Sequence, residues 1–431
     1  MVVECNSHKG QTEGRQGMNI LLYIDPGTGS MLFAILIGII GTLNYLMKNW
    51  IVKLRFVLSS GKKVETNTDK LPFVIFSDDK RYWNVFEPIC REFDRRGVDM
   101  VYMTASPDDP ALENPYKHIK GEFIGKNNRA FAKMNFLNAG IVLSTTPGLD
   151  VYQWKRSKDV QYYVHMQHAA NDISGYRMFG VDYFDAVMLS GEYQVQEVRD
   201  LEKLRGLPEK DLIKIGIPYM DEMSKRLEQA PQEKMEGRTV LLAPSWGKSS
   251  IFQKYGSRIL EVLLKTGYHI IVRPHPQSFS SEKETIEKIM RDYPASDQLE
   301  WNQDNDNFEV LKRADILVSD FSGIIFDFSL VYDKPVIYAD TEFDNSPYDA
   351  WWLDTPYWTF TALPRIGQKL TMDNLDSLKE MIDECIQDPK YAKGRQEARE
   401  ETWEYKGEGT ERAVEYLLDK YETLTQVAEE K

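Results

Sequence analysis

Apolar and polar positions along this chain follow two alternating periods, and the switches between them mark out its elements. Short apolar runs recur at Leu71–Phe76, Val98–Thr104, Gly140–Ser144, Gln161–His165, Ala186–Leu189 and Ile213–Ile217, with helical spacings such as Arg81–Arg96, or loops, between them. Runs apolar on both faces predict buried parallel strands covered by helices. Asp221–Arg238 is charged, contains Pro231 and reads as a connection. A second alternation then begins, with strands at Thr239–Ala243, His269–Val272 and Leu299–Trp301 and helices at Ser249–Lys265, Ser281–Arg291 and Phe308–Arg313. It leads into Ala314–Tyr338, ADILVSDFSGIIFDFSLVYDKPVIY, which reads strand, tight turn, helix, strand. The pattern predicts an α/β chain with two Rossmann-like, doubly wound domains, 71–230 and 237–395, facing a cleft. In the last stretch, 396–431, two polar helices are expected over Gln396–Tyr405 and Thr410–Val427; with the helix Met372–Gln387 before them, they either pack outside or cross back.

Ahead of these domains the pattern changes. Residues 1–17 are a polar tail, and a second start-like sequence opens at Met18. Within 18–58 the run Met31–Met47 carries no charge, a length at the low end of a bilayer span. A single transmembrane anchor is expected there, with a re-entrant or interfacial helix as the other reading. Lys48, Lys53, Arg55, Lys62 and Lys63 follow it, with Trp50 at the interface level, so the large C-terminal part is expected in the cytoplasm. Pro26-Gly27-Thr28-Gly29-Ser30 is glycine-rich but lacks a following Gly-Lys-Ser/Thr, which excludes a P-loop.

Composition narrows the function classes. At 431 residues and 42% hydrophobic content the chain can build more than one core. A net charge of −14 argues against a dedicated nucleic-acid binder. The three cysteines, Cys5, Cys90 and Cys385, are far apart and suggest neither a disulfide framework nor a zinc site.

Candidate chemistry sits at strand ends. In Ser319-Asp320-Phe321-Ser322-Gly323 hydroxyls, a carboxylate and a glycine stand where a helix begins, and a helix N-terminus after a parallel strand is a natural phosphate cradle. An ordinary βαβ unit with Ser and Asp caps reads equally well. His275 lies in Arg273-Pro274-His275-Pro276, just past an apolar strand; the prolines stiffen the backbone, and the imidazole beside Arg273 suits a diphosphate. His165 and Gln167 should share one strand face, with His168 where the chain leaves the sheet, placed to deprotonate a hydroxyl. A metal pair at these histidines lacks a third ligand nearby. Ser245, in Leu242-Ala243-Pro244-Ser245-Trp246, is a candidate substrate contact on a βα loop.

Taken together in order, the strand-end His168, Gly216-Ile217-Pro218, Leu242-Ala243-Pro244-Ser245-Trp246, Arg273-Pro274-His275-Pro276, and Ser319-Asp320-Phe321-Ser322 through Phe326-Asp327 to Lys334-Pro335 resemble the CDP-glycerol glycerophosphotransferase family of teichoic-acid-type polymer synthesis. The resemblance covers roughly Val160 to Asp340. It implies a GT-B fold and transfer of glycerol phosphate, or a related polyol phosphate, from a CDP-activated donor to a hydroxyl of a lipid-linked or polymer acceptor at the membrane, with CMP released. It also implies that His168 is the base, that His275 and Arg273 sit at the diphosphate, and that Ser319, Asp320 and Ser322 belong to the phosphate-binding segment, beside which Gly323 is a further candidate contact. No cofactor is implied and no metal constellation stands out; an Mg2+ held only by the diphosphate is compatible with the sequence. The chain departs from the family pattern at Gln167-His168-Ala169-Ala170, where Trp-His-Gly-Thr is usual, at Phe321-Ser322-Gly323, where Tyr-Ser-Ser is usual, and at Gly247, where an arginine is usual. A GT-B glycosyltransferase using a nucleotide sugar and a non-catalytic membrane scaffold are the competing expectations.

Overall fold

A computed structural model describes residues 70–231, 237–304 and 306–429. The expected polar tail and membrane anchor, 1–17 and 18–58, lie outside the described residues. Among those that are described, no helix is long and apolar enough to cross a membrane.

The described residues form one compact unit built on two parallel sheets. The first contains β1 (Leu71–Ser77), β2 (Met100–Thr104), β3 (Ile119–Phe123), β4 (Ala139–Ser144), β5 (Val160–Met166), β6 (Ala186–Leu189) and β7 (Asp211–Lys214) in the order β3-β2-β1-β4-β5-β6-β7. The second contains β8 (Thr239–Leu242), β9 (His269–Val272), β10 (Leu299–Trp301), β11 (Ile316–Ser319), β12 (Val336–Ala339) and β13 (Gly367–Leu370) in the order β10-β9-β8-β11-β12-β13. Each order reverses once, between β1 and β4 and between β8 and β11, so each sheet has one switch point where the strand ends splay and leave a crevice.

Successive side chains feed opposite faces of each sheet. Phe73 and Ile75 enter one core and Val74 and Phe76 another; Val240 and Leu242 enter a third, Leu241 and Ala243 a fourth. Burial on both faces is what the unbroken apolar runs required. β3 was not legible as a strand because Lys120, Gly121 and Glu122 interrupt its apolar pattern at the sheet edge. β13, Gly367–Leu370, is likewise an edge strand with alternate polar positions.

Asp221–Arg238, expected to be a connection, is corrected over its first part: Pro218–Gln229 is a helix. Its Met220 and Met223 are buried in the core of the second sheet, with Leu227 packed against it, a stripe at helical spacing hidden among charged neighbours. The C-terminal helix Gly409–Glu429 crosses back to the first sheet, where Ala413, Val414 and Leu417 complete a core with Phe73 and Phe93.

Buried polar groups tie the two sheets together across the cleft. Asp172 accepts from Trp358 N (2.6 Å) and Thr359 N (3.0 Å), capping the helix Trp358–Ile366 from the opposite half. Asp349 accepts from Phe179 N (2.7 Å) and Gly180 N (3.0 Å) and pairs with Arg205. Tyr193 stacks on Trp358 with ring centroids 4.7 Å apart.

Candidate active site

The carboxyl ends of β8, β9 and β11 lie side by side, because Leu242 is in register with Val318 on one side and Val272 on the other. The chain therefore leaves the second sheet at three adjacent points, through Pro244-Ser245-Trp246, Arg273-Pro274-His275 and Asp320-Phe321-Ser322-Gly323. The first sheet presents its own strand ends opposite, with Arg81 and Tyr82 after β1, Thr145 after β4 and His168 after β5. Both switch points thus open on one cleft.

The cleft has two arms that share His168, Asn171, His275, Ser322 and Gly323. One arm is aromatic, walled by Trp246, Phe343, Tyr348, Tyr357 and Phe360. Phe343 is its hub, with ring centroids 4.6 Å from Phe321, 5.3 Å from Tyr348 and 5.4 Å from Phe360. Flat rings of this kind stack on a planar ligand. The other arm is polar, lined by Arg81, Tyr219, Arg273, Asn307 and Asp327 among others.

His168 places Nδ1 2.5 Å from Thr145 Oγ1, with the Tyr82 ring edge-on at 5.2 Å. Desolvation, and next the positive charge of Arg81, push its pKa down to about 4. His275 accepts from Gln277 N at Nδ1 (3.1 Å), so in the neutral ring the proton is on Nε2. Burial, then Arg81 and Arg273, hold its pKa at about 4. Both imidazoles are therefore neutral at pH 7: one can accept a proton, and the other can donate a hydrogen bond through Nε2. His165 has no such freedom. It is fully buried beneath the site with Nε2 3.1 Å from the Tyr176 hydroxyl, which itself donates to Gln167 Oε1 (2.6 Å), so His165 and Gln167 do share one strand face.

Two residues expected at the phosphates face elsewhere. Ser319 is fully buried and donates from Oγ to Ala243 O (2.5 Å), so its hydroxyl joins β11 to the end of β8. Asp320 is buried too and accepts from Ser245 N (3.0 Å), Ile251 N (2.9 Å) and Phe321 N (2.8 Å). It holds the Pro244–Ser250 loop against the β11 turn, where a ligand phosphate would meet like charge. Arg273 lines the polar arm, but its guanidinium donates to Asn302 Oδ1 and Asp304 O (2.8 Å), which anchors it to the loop after β10. Ser322 and Gly323 do face the cleft, and Gly323 begins its helix without a side-chain cap. Ser245 lines the aromatic arm, its buried Oγ without a hydrogen-bond partner.

Arg81, Thr145 and Asn171 were not singled out from sequence, and Asp327 was read only as part of the family-like pattern, with no role. Arg81 and Thr145 flank the first sheet's switch point, a location defined only once strand order is known. The aromatic arm did leave a signal: Phe343–Phe360 is unusually dense in Tyr, Trp and Phe for a stretch without strand or helix periodicity. Among the described residues no group of three or more His, Cys, Asp or Glu side chains is placed to hold a metal ion.

Comparison with known proteins finds similar sequences and folds. The family model described as CDP-glycerol:poly(glycerophosphate) glycerophosphotransferase matches residues 187–419. The teichoic acid glycerol-phosphate primases of Bacillus spizizenii and Bacillus subtilis are each 23% identical, over 245 and 239 residues, or 52% of this chain. Those matches span 60% and 59% of the relatives' own length. Of solved structures, the wall teichoic acid polymerase TagF superposes with a TM-score of 0.54 at 15% identity, covering 89% of this chain and 97% of that one. UDP-GlcNAc 2-epimerase of Methanocaldococcus jannaschii, in complex with UDP-GlcNAc and UDP, gives 0.54 at 12% identity over 81% of this chain and 99% of that one. At these identities the structural likeness speaks for the fold, which is of GT-B type.

Proposed function

The chain belongs to the CDP-glycerol:poly(glycerophosphate) glycerophosphotransferase family, and on that premise we propose that it moves glycerol phosphate, or a related polyol phosphate, from a CDP-activated donor to a hydroxyl of a lipid-linked or polymer acceptor. The observation that carries the reading is the meeting of His168 and His275 with Ser322 and Gly323 where the aromatic and polar arms join. The aromatic arm takes the nucleoside, which sets the diphosphate between the two histidines.

In the tautomer that donates Nδ1–H to Thr145 Oγ1, His168 keeps its Nε2 lone pair for the acceptor hydroxyl. The acceptor oxygen attacks the β-phosphorus as its proton passes to His168. The bond from that phosphorus to the bridging oxygen breaks, and CMP leaves with the electron pair. His275 Nε2–H, the Ser322 hydroxyl and the charge of Arg81 counter the negative charge that grows on the diphosphate, the main demand of phosphoryl transfer. An Mg2+ carried by the diphosphate would share that load. Membrane attachment through 18–58, with the catalytic part on the cytoplasmic side, belongs to the same proposal and rests on the uncharged run Met31–Met47 and the lysines after it.

The test is nucleotide release from CDP-glycerol, CDP-ribitol and a panel of UDP- and GDP-sugars, with a glycerol-phosphate-primed acceptor. CMP release from a CDP-polyol, dependent on acceptor, is expected. Turnover with sugar nucleotides alone would refute the proposal in favour of a glycosyltransferase.

A further inference from the structure

Buried polar atoms in folded proteins are nearly always paired, and an orphan lining a cavity marks a place where a ligand supplies the missing partner. Three residues that line this cleft carry such an orphan: Ser245 (Oγ) in the aromatic arm, Asn171 (Oδ1) at the junction, and Asp327 (Oδ1) in the polar arm. None of the three takes part in the transfer chemistry above, and Asp327 is the one carboxyl among them. It is 9% exposed, in a helix whose flanking Ile325, Phe326 and Phe328 are buried. Its helix widens into a π-turn over Asp327–Val331, a distortion that recurs at functional positions.

Its surroundings specify the ligand. The Tyr219 hydroxyl donates to Asn307 Oδ1 (2.9 Å), which fixes the Asn307 amide beside the Asp327 carboxyl. Asp306, on the same rim, is already paired with Arg226 at 2.8 Å. A carboxyl, an amide and a phenol around an open space accept and donate hydrogen bonds to hydroxyls, while the carboxyls repel a phosphate. Burial pushes the Asp327 carboxyl up to about 7, the Asn307 side chain working against the rise, so it can both give and take a hydrogen bond near neutral pH.

We infer that Asp327, with Asn307 and Tyr219, forms a polyol-hydroxyl subsite in the polar arm, which selects substrates by a hydroxyl next to the reacting group. This rests on the transferase reading above. The hydroxyl belongs either to the acceptor's terminal glycerol or to the glycerol of the donor.

Wild type, Asp327→Leu, Asp327→Ala and Asp327→Asn are assayed for CMP release with glycerol-ended and deoxy acceptors, the latter lacking the middle hydroxyl, and then with CDP-glycerol against its deoxy counterpart. Wild type should favour the hydroxylated member of one pair by about 10-fold or more in kcat/KM, as sites built to bind a hydroxyl do. Asp327→Leu and Asp327→Ala should bring that ratio to within about 2-fold, and Asp327→Asn, which keeps a donor and an acceptor, should retain most of it. The pair that loses its preference identifies the source as acceptor or donor. Asp327→Leu should melt close to wild type, because it removes a buried carboxyl with one oxygen left without a partner. Equal loss on both members of each pair, or no loss of preference in any folded variant, overturns the subsite while leaving the transferase intact. Absence of CMP release by wild type from every CDP-polyol overturns both.

Discussion

Asp320 offers a direct test of how the cleft is built. Its carboxylate accepts three backbone N–H groups, from Ser245, Ile251 and Phe321, at 2.8 to 3.0 Å and 1% exposure. Asp320→Ala strands all three donors. At about 1–3 kcal/mol for each buried donor left unpaired, and allowing for water that enters the space, the loss comes to roughly 3–6 kcal/mol. For a compact unit of this size that lowers the melting temperature by about 4–8 °C. Asp320→Asn keeps one acceptor oxygen and turns an amide toward Ile251 N–H, so it should fall between the two, near 2 kcal/mol. The assay is thermal melting followed by circular dichroism, with Asp376→Ala as control. Asp376 meets Arg258 only at the surface, with its side chain 78% exposed, and its loss should leave the melt nearly unchanged. Because the same carboxylate positions Ser245 and Trp246, Asp320→Ala should also weaken CDP binding well below its melting temperature. A melt for Asp320→Ala within about 2 °C of wild type would refute the reasoning, since it would mean that the three donors find other partners at little cost.

Other outcomes follow from the same geometry. His168→Ala and His168→Gln should each lower kcat by about 100-fold or more with little change in KM for the CDP donor, as removal of a general base does, and an unchanged kcat takes His168 out of the chemistry. Since a base must be unprotonated and both cleft imidazoles sit at about 4, kcat/KM should stay flat from neutral pH down and fall only as pH drops through that value. Arg81→Ala removes a cation that depresses both imidazoles, so the acid limb of the pH–rate profile should move to higher pH; a limb near the ordinary histidine value in wild type contradicts the assignment. At Gly323 an added Cβ would lie 3.0 Å from Asn171 Nδ2, so Gly323→Ser, the residue usual in the family, should displace Asn171 and cost several-fold in kcat/KM. Adding Asn171→Ala should recover most of that loss, and failure to recover would show that the glycine serves another purpose.

Much of this protein was legible in its residue pattern because parallel strands buried on both faces must be apolar throughout, and that demand is local. Leu71–Ser77, Ala186–Leu189, His269–Val272 and Ile316–Ser319 declare themselves this way. His168, His275 and Ser322 were readable as strand-end residues for the same reason, since a polar side chain just past a buried strand has to meet either solvent or ligand. Ser319 and Asp320 read alike in sequence but turn inward: a serine at a strand end looks the same whether it bonds to the next strand or to a phosphate, and only β8 lying beside β11 decides it. The helix Pro218–Gln229 was hidden because its buried stripe, Met220 and Met223, is narrow and its other positions are charged.

Which residues share the cleft was settled by strand order alone. Arg81 and Thr145, more than sixty positions apart, become neighbours of His168 because β1, β4 and β5 are adjacent, while Asp327 meets Asn307 and Tyr219 because three separate elements converge beyond the carboxyl ends of the second sheet. The chain's periodicity determined two parallel α/β sheets and placed polar residues at the ends of their strands. The pairing of distant strands, which no local pattern encodes, decided which of those residues face the ligand and which hold the walls.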